Sequence, residues 1–132
     1  KKRIILGTYI LDSDNYESCF VKAQKARTLI CDDFEKAFEK FDILISPTSP
    51  TTAFKIGSKM DTVSMYFSDI YTVPINLAGL PAITVPCGFS QGLPIGVQFI
   101  GKAFDEKTLI KTAYNFEQNT DYHKKRPEHI KQ

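Results

Sequence analysis

At 132 residues the chain is long enough for one hydrophobic core and too short for two ordinary domains. Apolar residues make up 42% and charged residues 24%, the balance of a folding chain rather than a disordered one. A formal charge of +2 is too small to argue by itself for nucleic acid, and no apolar run approaches the length that crosses a bilayer.

The chain opens on Lys1-Lys2-Arg3, followed by Ile4-Ile5-Leu6. That apolar run is too short for a secretory leader, and with no initiator Met we expect the chain to begin inside a longer protein, although processing would give the same start. Residues 4–10 read either as a short strand or as a helix end. Asp12-Ser13-Asp14-Asn15 is a cluster of capping residues, and Asp14-x-x-Glu17 resembles a capping box. Apolar residues then recur at Tyr16, Phe20, Ala23, Leu29, Phe34 and Phe38 with a charged opposite face, which predicts one long helix over about 14–40.

Phe41–Ser46 has the look of a buried strand, ended by Pro47. Pro47–Gly57 is loop, its path fixed by two prolines. A shorter helix is expected at about 62–71. Two apolar runs, Ile83–Val85 and Ile95–Ile100, stand between Gly and Pro and predict two buried strands joined by a tight turn. Asp105-Glu106-Lys107-Thr108 begins a last amphipathic helix with Leu109, Ala113 and Phe116 on one side. From about 120 to 132 the chain turns polar and basic, and a mobile tail is expected. The order of elements predicts an α/β layer, with part of the sheet supplied here. So few strands would leave an open apolar edge, which again points to a missing portion of the same domain.

Several chemical motifs are weak. Gly88-Phe89-Ser90-Gln91-Gly92 matches the G-x-S-x-G elbow of serine hydrolases, and His123 could close the set. A second strand follows instead of a helix, which places Ser90 at a hairpin tip. Cys87 could be a nucleophile paired with His123, but reads as a small apolar residue at a strand end. Cys19 and Cys31 lie twelve residues apart on one expected helix, about 18 Å along its axis, so they cannot bridge. Unpaired cysteines favour a reducing compartment: cytoplasm, or an organellar matrix in a eukaryote. His123 and His129 have the spacing of half a zinc finger with no paired cysteines before them, so no metal site is expected. Lys124-Lys125-Arg126 could touch RNA phosphates, but reads as a solvated tail.

Two charges stand out by their apolar settings. Arg3 precedes Ile4-Ile5-Leu6, and Asp69 lies within Met65-Tyr66-Phe67-Ser68-Asp69-Ile70-Tyr71. A charge buried there needs a partner, since desolvation costs several kcal/mol per ion. A structural ion pair or a helix cap would serve as well as a ligand.

The combination of Arg3–Thr8, Lys22–Ile30, Pro47–Phe54, Asn76–Pro81 and Val85–Gly88, in that order and spacing, resembles the C-terminal part of the amidase-type subunits of glutamyl-tRNA(Gln) amidotransferases, within the amidase-signature family. The resemblance spans nearly the whole chain. It implies the C-terminal portion of the amidase-signature α/β fold, a mixed sheet covered by helices, incomplete without its N-terminal part. It also implies a Ser–Ser–Lys catalytic set on a Gly/Ser-rich segment. No Gly-Gly-Ser-Ser run occurs here, so no catalytic residue is assigned to this chain, which alone is expected to be inactive.

By the same resemblance Arg3 matches the residue that holds the α-carboxylate of glutamine, and Asp69 the one that holds its α-ammonium. Ammonia released from glutamine would pass to a glutamyl-tRNA site served by B and C subunits, where the complex uses ATP and Mg2+. Ala82 stands where the family often has Gly, and Met60–Ser64 is one residue short of bacterial relatives, which shifts the lead into Asp69. A stand-alone amidase of small amides and a non-catalytic partner-binding segment are the other readings.

Overall fold

The computed structural model describes residues 1–58 and 61–127. In chain order these form α1 (Lys2–Ile10), α2 (Ser13–Asn15), a π-helical segment (Tyr16–Val21), α3 (Lys22–Phe38), β1 (Ile43–Pro47), α4 (Thr62–Phe67), α5 (Val73–Ala78), β2 (Ala82–Ser90), β3 (Leu93–Gly101), α6 (Glu106–Gln118) and a 3₁₀ turn (Tyr122–Lys124).

The sheet has the order β1-β3-β2, and within this chain every strand pair is antiparallel. β3 is central, with Ile45 and Ile83 paired to Phe99 on its two sides. Side chains alternate between faces along a strand. Ile83, Val85, Val97 and Phe99 therefore point one way, toward Leu109, Ala113 and Phe116 of α6, and this is the core. The helical spacing read from the sequence for α6 is thus borne out. Asp105 caps the helix, its carboxylate accepting from the Thr108 amide at 3.3 Å and the Thr108 hydroxyl at 2.8 Å. Gln98 and Ile100 point to the other face, where Gln98 reaches the Tyr71 carbonyl before α5, and Ile75 of α5 is buried. Arg27 of α3 donates from Nε to the Leu77 carbonyl at 2.7 Å, serving the C-terminal end of α5 with a positive group.

Several elements differ from expectation. Of the two readings open for residues 4–10, the helical one holds, as part of a helix over Lys2–Ile10. The long helix is broken in register by the π-helical segment, and the residue that caps its start is Asp12, which accepts from the Ser13 amide at 2.9 Å, rather than Asp14. α4 stops at Phe67, so Asp69 lies in a turn. α5 was not foreseen, though its signals are present: Pro74 in the first turn and Gly79 after the last, at φ 70° in the left-handed region. Both hairpin strands run longer than their apolar runs and take in prolines. Pro86 adjoins a bulge between Pro86 and Gly88, and Pro94 lies where β3 has lost its β1 neighbour, so neither removes a needed donor. Ala82 opens β2 opposite Ile100 in ordinary strand conformation, where glycine is not required. Tyr122–Lys124, in the expected mobile tail, forms a 3₁₀ turn, with the Tyr122 ring 6.4 Å from Phe89.

Gly96 has a specific packing role. A Cβ there would stand 2.9 Å from Thr48 Oγ1 and 2.9 Å from Thr84 Cγ2. The missing side chain lets Thr48, just past β1, meet Thr84 of β2 over the central strand, Thr48 Oγ1 lying 3.3 Å from Thr84 Oγ1. Gly96→Ala is expected to wedge them apart and destabilise the protein by about 1–3 kcal/mol, as overpacking does. The urea midpoint would measure this, and an unchanged midpoint would mean that the loop yields freely.

Candidate functional site

Asp69 is placed by a turn with its own internal logic. Asp61 caps α4: its carboxylate accepts from the Ser64 amide at 3.0 Å and from the Ser64 hydroxyl. These bonds, the hydroxyl first, hold the Asp61 carboxyl below the usual carboxylate range. α4 then closes, and the Asp69 carbonyl accepts from the amides of Thr72 at 3.1 Å and Val73 at 3.0 Å, which start α5. The Asp69 side chain is exposed.

Gln98, whose significance was missed in the sequence, holds this turn. It is 2% exposed, the one buried polar side chain among the described residues. Its Nε2 donates to Ser46 Oγ at 2.8 Å and to the Tyr71 carbonyl at 2.9 Å, with the Pro47 carbonyl at 3.2 Å. One carboxamide thus joins β1, β3 and the α4–α5 turn. The available signal was a lone polar residue inside the apolar run Ile95–Ile100.

Arg3 lies in the first turn of α1 and is exposed, as are its neighbours Ile4 and Ile5, at 74% and 69%. The expectation that Arg3 and Asp69 are buried charges is corrected for this chain. Among the described residues both side chains are exposed to solvent. Among the described residues neither forms an ion pair.

An open groove of about 780 Å3 runs beside the Asp69 turn. Thr84, Pro86 and Gly96 are on its sheet side, the loop from Thr48 to Phe54 on the other, and Ser68 reaches it from the turn. Neither Arg3 nor Asp69 lines this groove.

The weaker candidates fall apart. Ser90 precedes a two-residue turn, Gln91 at φ 52° and Gly92 at φ 78°, the positive-φ pair of a tight hairpin, and β3 follows. It is not on a strand-to-helix elbow. Among the described residues His123 Nδ1 is buried with no hydrogen-bond partner, and no hydrogen bond joins His123 to Cys87 or Ser90. The three cysteines are free thiols. His129 lies outside the described residues, and no three His, Cys, Asp or Glu side chains among the described ones are grouped to hold a metal ion. Lys124 is drawn onto Asp121 at 2.6 Å, and Lys125 lies 6.0 Å from the Phe89 ring centre. No helix among the described residues is long and apolar enough to cross a membrane.

Comparison with known proteins adds a family match, two relatives and two solved structures. The family model described as Amidase matches residues 1–110. The A subunit of the glutamyl-tRNA(Gln) amidotransferase of Moorella thermoacetica is 60% identical over 129 residues, 97% of this chain and 26% of that protein. The corresponding polypeptide of Geobacillus kaustophilus is 59% identical over 128 residues, 96% of this chain and 26% of the relative. Among solved structures, the same type of polypeptide from the glutamyl-tRNA(Gln) amidotransferase of Thermotoga maritima superposes with a TM-score of 0.79 at 46% identity, over 92% of this chain and 27% of that one. The peptide amidase of Stenotrophomonas maltophilia superposes at 0.63 with 31% identity, over 92% and 23%. The chain therefore spans about a quarter of the length of the curated relatives it matches.

Proposed function

The chain belongs to the amidase family, and from that premise we propose that it is the glutamine-holding C-terminal quarter of the amidase component of a tRNA-dependent amidotransferase. The observation that carries this reading is the setting of two opposite charges. Among the described residues Arg3 and Asp69 have no ion-pair partner, and each stands among exposed apolar side chains: Ile4 and Ile5 beside one, Tyr66 and Phe67 beside the other. Apolar surface of this extent is a face that something else covers. The rest of a four-times-longer polypeptide is the natural cover, and closing it would desolvate both charges.

Free glutamine fits such a pair. The planar guanidinium of Arg3 takes the α-carboxylate in a two-bond fork. Asp69 accepts the donors of the α-ammonium. With the head of the amino acid held, its side-chain amide extends toward the Ser–Ser–Lys set that the resemblance assigns to the remaining sequence. There one Ser attacks the amide carbon, the second Ser and the Lys move the proton to the departing nitrogen, and water releases glutamate. The ammonia passes to glutamyl-tRNA on the partner B and C subunits. ATP and Mg2+ serve the activation of that tRNA, and no step assigned to this chain uses them. An amide lacking either charge would leave a protein ion unpaired, which is how this site prefers glutamine to simple amides.

Glutamine hydrolysis tests the reading. The full-length polypeptide with its partners is expected to release ammonia from glutamine, and the 132-residue chain alone to release none. Turnover by the chain alone would return the chemistry to Ser90 or Cys87. A full-length protein that ignores glutamine but cleaves simple amides would be a stand-alone amidase.

A further inference from the structure

We propose that Gln98 is a positioning residue: its carboxamide ties the turn bearing Asp69 to the central strand and so sets where the Asp69 carboxylate stands. The proposal rests on the reading of Asp69 given above. The geometry is specific. Gln98 faces the sheet side opposite α6, away from the packed apolar core. A carboxamide nitrogen has two hydrogens, and the two shortest contacts, Ser46 Oγ at 2.8 Å and the Tyr71 carbonyl at 2.9 Å, use them. Ser46 Oγ, having accepted one, donates its own hydrogen to the Pro47 carbonyl at 3.2 Å. The turn is thus fixed from outside at Tyr71, two residues beyond Asp69, and from inside by the bonds to the Asp69 carbonyl. A buried polar group on an otherwise apolar strand is costly unless every bond is made, so the network tolerates one placement of the turn.

The test uses Gln98→Met in the full-length protein, which keeps side-chain length and removes both N–H donors. The expected result is a rise of about tenfold in KM for glutamine with kcat changed less than about twofold, since displacement of a holding group weakens substrate placement. Activity with added ammonia in place of glutamine should not change. Hydrogen exchange should quicken at the amides of Asp69–Val73, with those of α6 unaffected. Gln98→Glu, similar in size but repelled by two carbonyls when ionised, should act alike, and serves if Gln98→Met fails to fold. In an Asp69→Asn background, Gln98→Met should add nothing further to KM. Exchange that quickens equally in α6, or an unchanged KM for glutamine, would overturn the proposal. If Asp69→Asn raises KM and Gln98→Met does not, the positioning role falls while the glutamine reading stands. If Gln98→Met loosens the turn but Asp69→Asn leaves KM alone, the glutamine reading itself falls and takes the positioning role with it.

Discussion

Asp69→Ala is expected to abolish the use of glutamine and to spare the use of ammonia. On the proposed reading, the remaining polypeptide covers the α4–α5 turn and this carboxylate is the partner of the substrate ammonium. Truncating one member of a desolvated charge pair costs about 2–5 kcal/mol. At about 1.36 kcal/mol per tenfold, kcat/KM for glutamine should drop by about 30- to 5000-fold. Free ammonia needs no ammonium clamp, so amidation driven by ammonium chloride should stay within about twofold of wild type. The contrast between the two nitrogen sources makes the test informative, because a folding defect would lower both. Asp69→Asn keeps the shape and removes the charge, and should fall on the same side as Asp69→Ala. Glutamine-driven activity near the wild-type level in either variant would mean that Asp69 does not hold the substrate.

Phe99→Ala should produce the largest loss of stability of any single truncation in the chain. Phe99 is 3% exposed, on the central strand where it is paired on both sides. It is flanked by its pairing partners Ile45 and Ile83, and its ring meets Phe116 of α6 edge-on at 5.6 Å between centroids. Removing the ring opens a cavity between sheet and helix that neither can close, since the hydrogen-bonded ladder on both sides of β3 holds the strand in place. The expected cost is about 3–5 kcal/mol, a large share of the total stability of an ordinary domain. Urea unfolding followed by circular dichroism would measure it, and Phe99→Leu should cost clearly less. A loss under about 1 kcal/mol would mean that α6 is not seated on the sheet as described.

Much of the fold could be read along the chain because its signals are local. The α6 stripe at Leu109, Ala113 and Phe116 repeats with the helix period, and it packs on Phe99 and Val85. The turn between β2 and β3 was legible from Gly92, which can take positive φ. The family was legible because segments spread over the whole length keep their order. Other features gave misleading local signals. Apolar residues around Asp69 imply burial, yet the turn faces outward in this chain. The helical pattern from Tyr16 to Phe38 cannot reveal that Tyr16–Val21 winds one residue wider.

The sequence by itself determined where most strands and helices form, which face of α6 is apolar, and that Arg3 and Asp69 are charges set in apolar company. Only the tertiary structure decided that Gln98 holds the Asp69 turn and that Gly96 is the gap through which Thr48 and Thr84 meet. The reason is the range of the forces involved. Periodicity and capping act between neighbours a few residues apart. The bonds of Gln98 join positions 27 and 52 residues away, and no local pattern encodes which distant carbonyl a buried amide will find.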